Sequence, residues 1–357
     1  SSVDLGVMIS ASHNPMPDNG IKFFAHGGYK LPDQVEDQIQ ELLNTPWDRP
    51  TGAAVGEVEY DDDWAEKSYI EHLMTSLGTD LHGLRIAVDC ANGGASFLAP
   101  EAFRQAGADA VVINAAPDGR NINDKAGSTH PEQLQALTVA SEADFGVAYD
   151  GDADRCLAVD RHGNLVDGDK IMGALAVHMR DEGQLAKDTL VVTVMSNLGL
   201  ILAMQEAGIK TIQTGVGDRY VLEAMLEGGY SLGGEQSGHI IAKKYATTGD
   251  GILSSLLLAR MVKESGRDLA DLTGFIKRLP QTLINVGGVD RTRATTDPTV
   301  AEAVAAAEAV LGNTGRVLLR PSGTEPLVRV MVEAATQAQA DGVASRLADV
   351  VKESLSL

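Results

Sequence analysis

Cysteine is scarce: Cys90 and Cys156 are the only two in 357 residues, and they form no Cys-x-x-Cys spacing. That excludes a disulfide framework and a thiolate metal site, and fits a reduced, cytoplasmic compartment. Long apolar runs are missing too. The longest candidate, Ile252 to Val262, is interrupted by Arg260 and falls short of the roughly 18 residues a membrane-spanning helix needs. The N-terminus has neither a signal-peptide pattern nor a starting Met, which predicts a fragment or a processed chain. Positive charge is in short supply, with 29 Lys and Arg against 50 Asp and Glu and a net charge of −21. Nucleic acid and an anionic membrane surface are thereby disfavoured as main partners. A phosphorylated substrate stays open, because repulsion is screened over about 8 Å while each charge-assisted hydrogen bond to phosphate contributes about 1.5 to 3 kcal/mol.

What is present is an ordinary apolar fraction, 44%, and enough length for two to three domains at roughly 150 residues each. Strand-like runs alternate with amphipathic helices from Leu84 to Tyr149, and again from Leu190 to Glu264. Such alternation predicts parallel strands with crossover helices. The tail after Pro280 changes to strand, Ala-rich helix, two strands and helix, a small two-layer α+β domain. There is no short-period repeat and no low-complexity tract; the two similar α/β units are the only hint of duplication. Expected segments are 1–64, 65–166, 167–280 and 281–357. Within the first, strands end and begin at Ile9 and Gly20, a helix covers Asp33 to Leu43, and Thr45 to Gly56 is a loop.

Four stretches carry chemistry. After the run Leu5 to Ile9 comes Ser-Ala-Ser-His-Asn-Pro, a small, proline-broken loop that presents the Ser12 hydroxyl; the alternative is a hydroxyl that only satisfies its own turn. Asp150-Gly-Asp-Ala-Asp-Arg155 follows an apolar strand. If extended, it places Asp150, Asp152 and Asp154 on one side, and three adjacent carboxylates call for a hard cation such as Mg²⁺. A calcium loop is ruled out by Arg155 and Arg161 where Gly and Glu are required. A dehalogenase-type phosphotransferase with Asp150 as nucleophile remains a rival, as does a solvated acidic turn. Gly233-Gly-Glu-Gln-Ser-Gly-His239 offers Glu235 and Ser237 to a pair of sugar hydroxyls, or is a tight polar turn. Arg320-Pro-Ser-Gly-Thr-Glu-Pro326 combines Gly323, the hydroxyls of Ser322 and Thr324, and the charges of Arg320 and Arg329. It reads as a phosphate cradle or as a plain hairpin.

In this order, the four loops resemble the α-D-phosphohexomutase superfamily over essentially the whole chain. Asn19-Gly-Ile-Lys-Phe-Phe, Val216-Gly-Asp-Arg-Tyr and Thr248-Gly-Asp-Gly are most similar to its bacterial glucosamine-phosphate branch. The resemblance implies a multidomain fold: three similar α/β domains, the first incomplete, plus a C-terminal two-layer α+β domain, around a central cleft. It implies Ser12 as a phosphoserine; Asp150, Asp152 and Asp154 as Mg²⁺ ligands, with an oxygen on Ser12 completing the site; and Arg155 near the transferring phosphate. His13 and Lys22 match residues for proton transfer or charge stabilisation. Arg219, Glu235 and Ser237 match sugar-side binders, and Arg320, Ser322, Gly323, Thr324 and Arg329 match binders of the non-reacting phosphate. The implied activity interconverts glucosamine 6-phosphate and glucosamine 1-phosphate through a bisphosphorylated sugar, which also serves as primer, on the route to UDP-N-acetylglucosamine. Mannose or glucose phosphates are the alternative substrates, and a non-catalytic sugar-phosphate-binding fragment the alternative class. A monomer or homodimer is expected. The superfamily's first domain begins upstream of the serine loop, so an N-terminally incomplete first domain is expected here.

Overall fold

A computed structural model of the chain describes residues 3–60, 62–322 and 325–357. Strands β1 (Leu5–Ser10) and β2 (Gly20–Ala25) pair antiparallel, and α1 (Asp33–Leu42) follows. The expected loop beyond it carries one short 3₁₀ turn, Gly52–Ala54. Helix α2 (Asp62–Leu77) leads into β3 (Arg85–Asp89), α3 (Ala95–Gln105), β4 (Asp109–Ile113), α4 (Glu132–Ala140), β5 (Phe145–Tyr149), β6 (Cys156–Asp160) and β7 (Leu165–Val166). Next come α5 (Gly168–Asp181), β8 (Thr189–Thr193), α6 (Leu198–Glu206), β9 (Lys210–Thr214), α7 (Asp218–Gly228), β10 (Leu232–Gly234), β11 (Ile240–Ala242), α8 (Gly251–Ser265) and α9 (Leu269–Thr273). The last elements are β12 (Gln281–Gly287), α10 (Pro298–Leu311), β13 (Arg316–Pro321), β14 (Leu327–Glu333) and α11 (Gln337–Ser354).

The chain divides into two compact units, residues 1–195 with 204–275, and residues 196–203 with 276–357. In the first, one sheet runs β4-β3-β5-β6-β7 and another β11-β10-β8-β9. Only part of each is parallel: β4, β3 and β5 pair parallel, as do β9, β8 and β10, whereas β6, β7 and β11 run antiparallel. The strands of the expected alternation, β3 to β5 and β8 to β10, are thus parallel as expected, and the antiparallel β6, β7 and β11 lie outside that alternation. Turns 150–155 and 235–239 reverse the chain without a crossover helix, and a strand joined that tightly has to return antiparallel.

Helix α5 was not foreseen either. Its buried face, Ile171, Met172 and Leu175, is interrupted by Gly173 and flanked by polar residues, which hides the 3.6-residue period. Asp167 caps it by accepting from the Lys170 N–H at 3.2 Å. In the second unit, β12-β14-β13 form an antiparallel sheet whose Val328, Val330 and Val332 pack against Val343, Leu347 and Val351 of α11, the expected two-layer arrangement. No helix among the described residues is long and apolar enough to cross a membrane.

Candidate active site

The site begins at the C-terminal end of β5, all five residues of which are buried. Asp150 follows immediately and is itself fully buried. Residues 150–155 form a turn, not the extended segment expected, with the Ala153 N–H donating to the Asp150 carbonyl at 3.0 Å and Ala153 at φ 58°. The three carboxylates nonetheless converge. One ligand oxygen from each of Asp150, Asp152 and Asp154 lies within 4.8 Å of the others, and Asp150 Oδ2, Asp152 Oδ1 and Asp154 Oδ1 are buried without a hydrogen-bond partner. Buried, unpartnered carboxylate oxygens at this spacing fit a hard divalent cation.

The electrostatics follow from that crowding. Burial, then the charges of Asp154 and Asp152, push Asp150 up to about 8. Burial also opposes ionisation of Asp154, but His239, Lys22 and Arg155 outweigh it and hold its carboxyl well below the usual range. The Lys22 ammonium bonds Asp152 and lies 3.4 Å from Asp154 Oδ2. Burial disfavours that charge, yet the two carboxylates raise the Lys22 pKa overall. Arg155 Nε stands 3.9 Å from both Asp150 Oδ2 and Asp154 Oδ1.

The Ser12 loop is brought onto this turn by backbone contacts. The Gly151 N–H donates to the Ser12 carbonyl at 2.9 Å, and the Asn123 side chain donates to the same carbonyl at 2.7 Å. Ser12 sits at φ 52°, a left-handed conformation that costs a non-glycine residue on the order of 1 to 3 kcal/mol. Two hydrogen bonds at about 0.5 to 1.5 kcal/mol each are enough to hold it there. Ser12 Oγ lies 3.3 Å from His13 Nδ1. Burial and the neighbouring Arg155 charge lower the His13 pKa. Close glycines seal the turn from its other sides. A Cβ on Gly93 would stand 2.2 Å from the Gly151 carbonyl, one on Gly238 2.3 Å from the Cys156 carbonyl, and one on Gly251 2.4 Å from the Arg155 carbonyl.

A cavity of about 380 Å³, lined by Lys22, Lys30, Tyr69, Asp152, Asp154 and Thr248, opens beside the trio. Lys22 and Lys30 also border a wider groove of about 690 Å³. Glu235 Oε1 accepts from the Gly217 N–H at 3.1 Å, and Ser237 Oγ is buried without a partner. Arg219 is committed elsewhere: its guanidinium pairs with Asp33, lies 3.7 Å from Glu36 and bonds the Leu31 carbonyl.

In the second unit, Arg320 and Arg329 stand directly opposite each other on β13 and β14. Ser322 is buried, and its hydroxyl accepts from the Glu325 N–H at 3.2 Å. Gly323 and Thr324 lie outside the described residues. Sequence reasoning missed several neighbours. Buried His239 reaches Asp154 Oδ2 at 3.5 Å through Nδ1, while its Nε2 accepts from the Gly249 N–H at 3.0 Å and lies 3.4 Å from Asp218 Oδ2. Asp218 in turn pairs with Lys30. His239 closes a motif already singled out; Lys30 and Asn123 carry no sequence signal.

Two α/β layers that bring a serine loop onto an acidic turn, followed by a two-layer α+β unit, define a phosphohexomutase. The chain belongs to the phosphoglucomutase/phosphomannomutase family: residues 1–48 match its alpha/beta/alpha domain I, 67–163 domain II, 167–279 domain III and 283–350 its C-terminal domain. It is similar to the phosphoglucosamine mutase of Bifidobacterium longum subsp. infantis, 61% identical over 365 residues that cover all of this chain and 79% of that one. The phosphoglucosamine mutase of Streptomyces coelicolor is 58% identical over 357 residues, 99% of this chain and 79% of the other. A crystal structure of Aspergillus fumigatus N-acetylphosphoglucosamine mutase in complex with GlcNAc-6P and magnesium shares the fold. Its TM-score is 0.77 at 21% identity, over 99% of this chain and 89% of that one.

Proposed function

We propose that this chain interconverts glucosamine 6-phosphate and glucosamine 1-phosphate, with Ser12 as the phosphoryl carrier. The observation that carries the reading is the Ser12 carbonyl bonded to Gly151 inside the acidic turn, in a chain 61% identical to a phosphoglucosamine mutase. Asp150, Asp152 and Asp154 would hold Mg²⁺, with an oxygen of phosphorylated Ser12 completing the set; when bound, the ion supplies charge neutralisation for the phosphoryl oxygens.

Phosphoryl transfer asks mainly for positioning and charge. In the first half-reaction the Oγ–P bond of phospho-Ser12 breaks, a bond forms from phosphorus to the sugar C1 oxygen, and the hydroxyl proton ends on Ser12 Oγ. The bisphosphorylated sugar then turns around. In the second half, the O6–P bond breaks, a bond forms from that phosphorus to Ser12 Oγ, and the Ser12 hydroxyl proton passes to O6. His13, 3.3 Å from Oγ, is placed to hand that proton over. Lys22 and Arg155 hold positive charge beside the reacting group. Glu235 and Ser237 take the sugar hydroxyls, and Arg219 acts indirectly by tying the 216–220 loop to α1.

The turn with Arg320, Ser322, Gly323, Thr324 and Arg329 supplies the site for the phosphate not being transferred. The four segments 1–64, 65–166, 167–280 and 281–357 serve as the domains. A cytoplasmic monomer or homodimer completes the reading; the two free thiols fit the reduced compartment alone.

Comparing kcat/KM for glucosamine, glucose and mannose 6-phosphates, with a bisphosphorylated primer, tests the substrate; preference for glucose or mannose would overturn it. Ser12→Ala is expected to lose about 10⁴-fold or more in turnover while still binding the sugar phosphate. Retained turnover, or phosphate mapped to Asp150 instead of Ser12, would remove the mechanism.

A further inference from the structure

Asn123 belongs to the 121–130 loop between β4 and α4, far in sequence from every residue assigned a role above. It is 5% exposed and sits at φ 57°, a left-handed conformation that Asn tolerates better than most residues. Its backbone is anchored. The Asn123 N–H donates to the Ala91 carbonyl at 2.9 Å. Buried Asp89, at the end of β3, fixes the surrounding loops by accepting from the Ala91 N–H and the Gly127 N–H, each at 3.0 Å. From this base the Asn123 side-chain Nδ2 donates its two hydrogens to two carbonyls of the serine loop, Ser12 at 2.7 Å and Asn14 at 2.8 Å. Two acceptors on one nitrogen also fix which way the amide faces.

We propose that Asn123 is a positioning residue for phosphoryl transfer: it clamps both ends of the Ser12–Asn14 turn, and so sets the left-handed backbone that aims Ser12 Oγ. This rests on the reading of Ser12 as phosphoryl carrier. Asn123 touches no reacting atom; it acts through the serine backbone. Once the amide is gone the Gly151 N–H holds the Ser12 carbonyl alone, the Ser12 N–H keeps only its local bond to Ser10 Oγ at 2.8 Å, and a carbonyl with one of its two anchors lost lets the residue relax toward ordinary backbone and swing its hydroxyl. A misplacement near 1 Å at a reacting group costs on the order of 10²-fold.

Two variants test it. Asn123→Gly keeps the left-handed backbone and removes the donor. Asn123→Asp keeps the shape and turns oxygen toward two carbonyls. In both, kcat is expected to fall at least about tenfold, with KM for the sugar phosphate and half-saturation by Mg²⁺ changing less than about twofold. The rate at which Ser12 takes up phosphoryl from glucose 1,6-bisphosphate, followed by intact mass, falls in step. A purely structural role would instead shift the melting midpoint and leave the folded fraction's kcat intact. Asn123→Gly with wild-type kcat and wild-type Ser12 phosphorylation overturns the proposal. Variants are read as ratios to wild type on whichever sugar phosphate the wild type turns over best. A wrong glucosamine assignment therefore shows in the wild-type ranking alone, and phosphate absent from Ser12 in wild type overturns both.

Discussion

Strands β1 and β3 look alike as sequence, short apolar runs that each end in a loop with chemistry, but their surroundings are opposite. In β3, Ile86 and Val88 are completely buried between α/β layers, whereas in β1 Val7 is 57% exposed and Ile9 77% exposed. Helix α1, the next helix after β1 and β2, buries no residue at all. The more exposed strand nevertheless carries the serine. Its loop is held by bonds received from Gly151 and Asn123, in loops at the end of the well-packed sheet, so the order of Ser12 is borrowed from a neighbouring layer.

The comparison is broken most directly by trimming each strand. Ile86→Ala is expected to cost about 2 to 5 kcal/mol and Ile9→Ala within about 0.5 kcal/mol, read from denaturant midpoints; similar costs at both sites would mean β1 is packed as firmly as β3. The borrowing itself is tested with glycines. A Cβ on Gly151 would stand 2.5 Å from the Ser12 carbonyl and 2.7 Å from Asn123 Nδ2, whereas one on Gly6 in β1 meets Phe24 Cβ at an ordinary 3.4 Å. Gly151→Ala should therefore push the loops apart and lower kcat about 10²-fold, while Gly6→Ala leaves it near wild type. Equal kcat values in an initial-rate assay would refute the borrowed-order account.

The smallest effect is a pH dependence on the buried side of the comparison. Without a cation, folded Asp150 keeps its proton up to about 8, against a model-peptide value of 3.8. Metal uptake must displace that proton, so apparent Mg²⁺ affinity should rise by about tenfold per pH unit below 8 and level off above it. The sign for stability is the reverse. At Asp150 the folded state keeps a proton that the unfolded chain has lost between pH 3.8 and 8, so this group's contribution to the metal-free protein's stability is lost as pH rises through that window. Calorimetric titration at several pH values, in buffers of different ionisation enthalpy, reads both the affinity and the released proton.

Much of this was legible because strand and helix periods are local. The alternation expected from Leu84 to Tyr149 holds β3 through β5, that from Leu190 to Glu264 holds β8 through α8, and the change of pattern after Pro280 marks the antiparallel sheet and its helices. The acidic trio was legible as composition but not as geometry, since its convergence depends on the turn around Ala153. Asn123 could not be read at all: its partners lie 111 and 109 residues away in sequence, and an isolated Asn in a loop gives no hint of what it reaches. Arg219 illustrates the converse, a charged residue in a recognisable motif whose charge is taken by α1.

The glycine seal around the acidic turn has a consequence for biosynthesis. Its parts come from Ser12, Gly93, Asn123, Gly238 and Gly251, so the pocket is assembled from contacts of very high sequence separation, the slowest kind to form. A ribosome adding about 5 to 20 residues per second needs on the order of 10 to 50 seconds between making Ser12 and making Gly251. Throughout that interval the serine loop has no complete partner surface. The nascent chain therefore carries the serine loop without its full set of neighbours until the start of α8 has emerged.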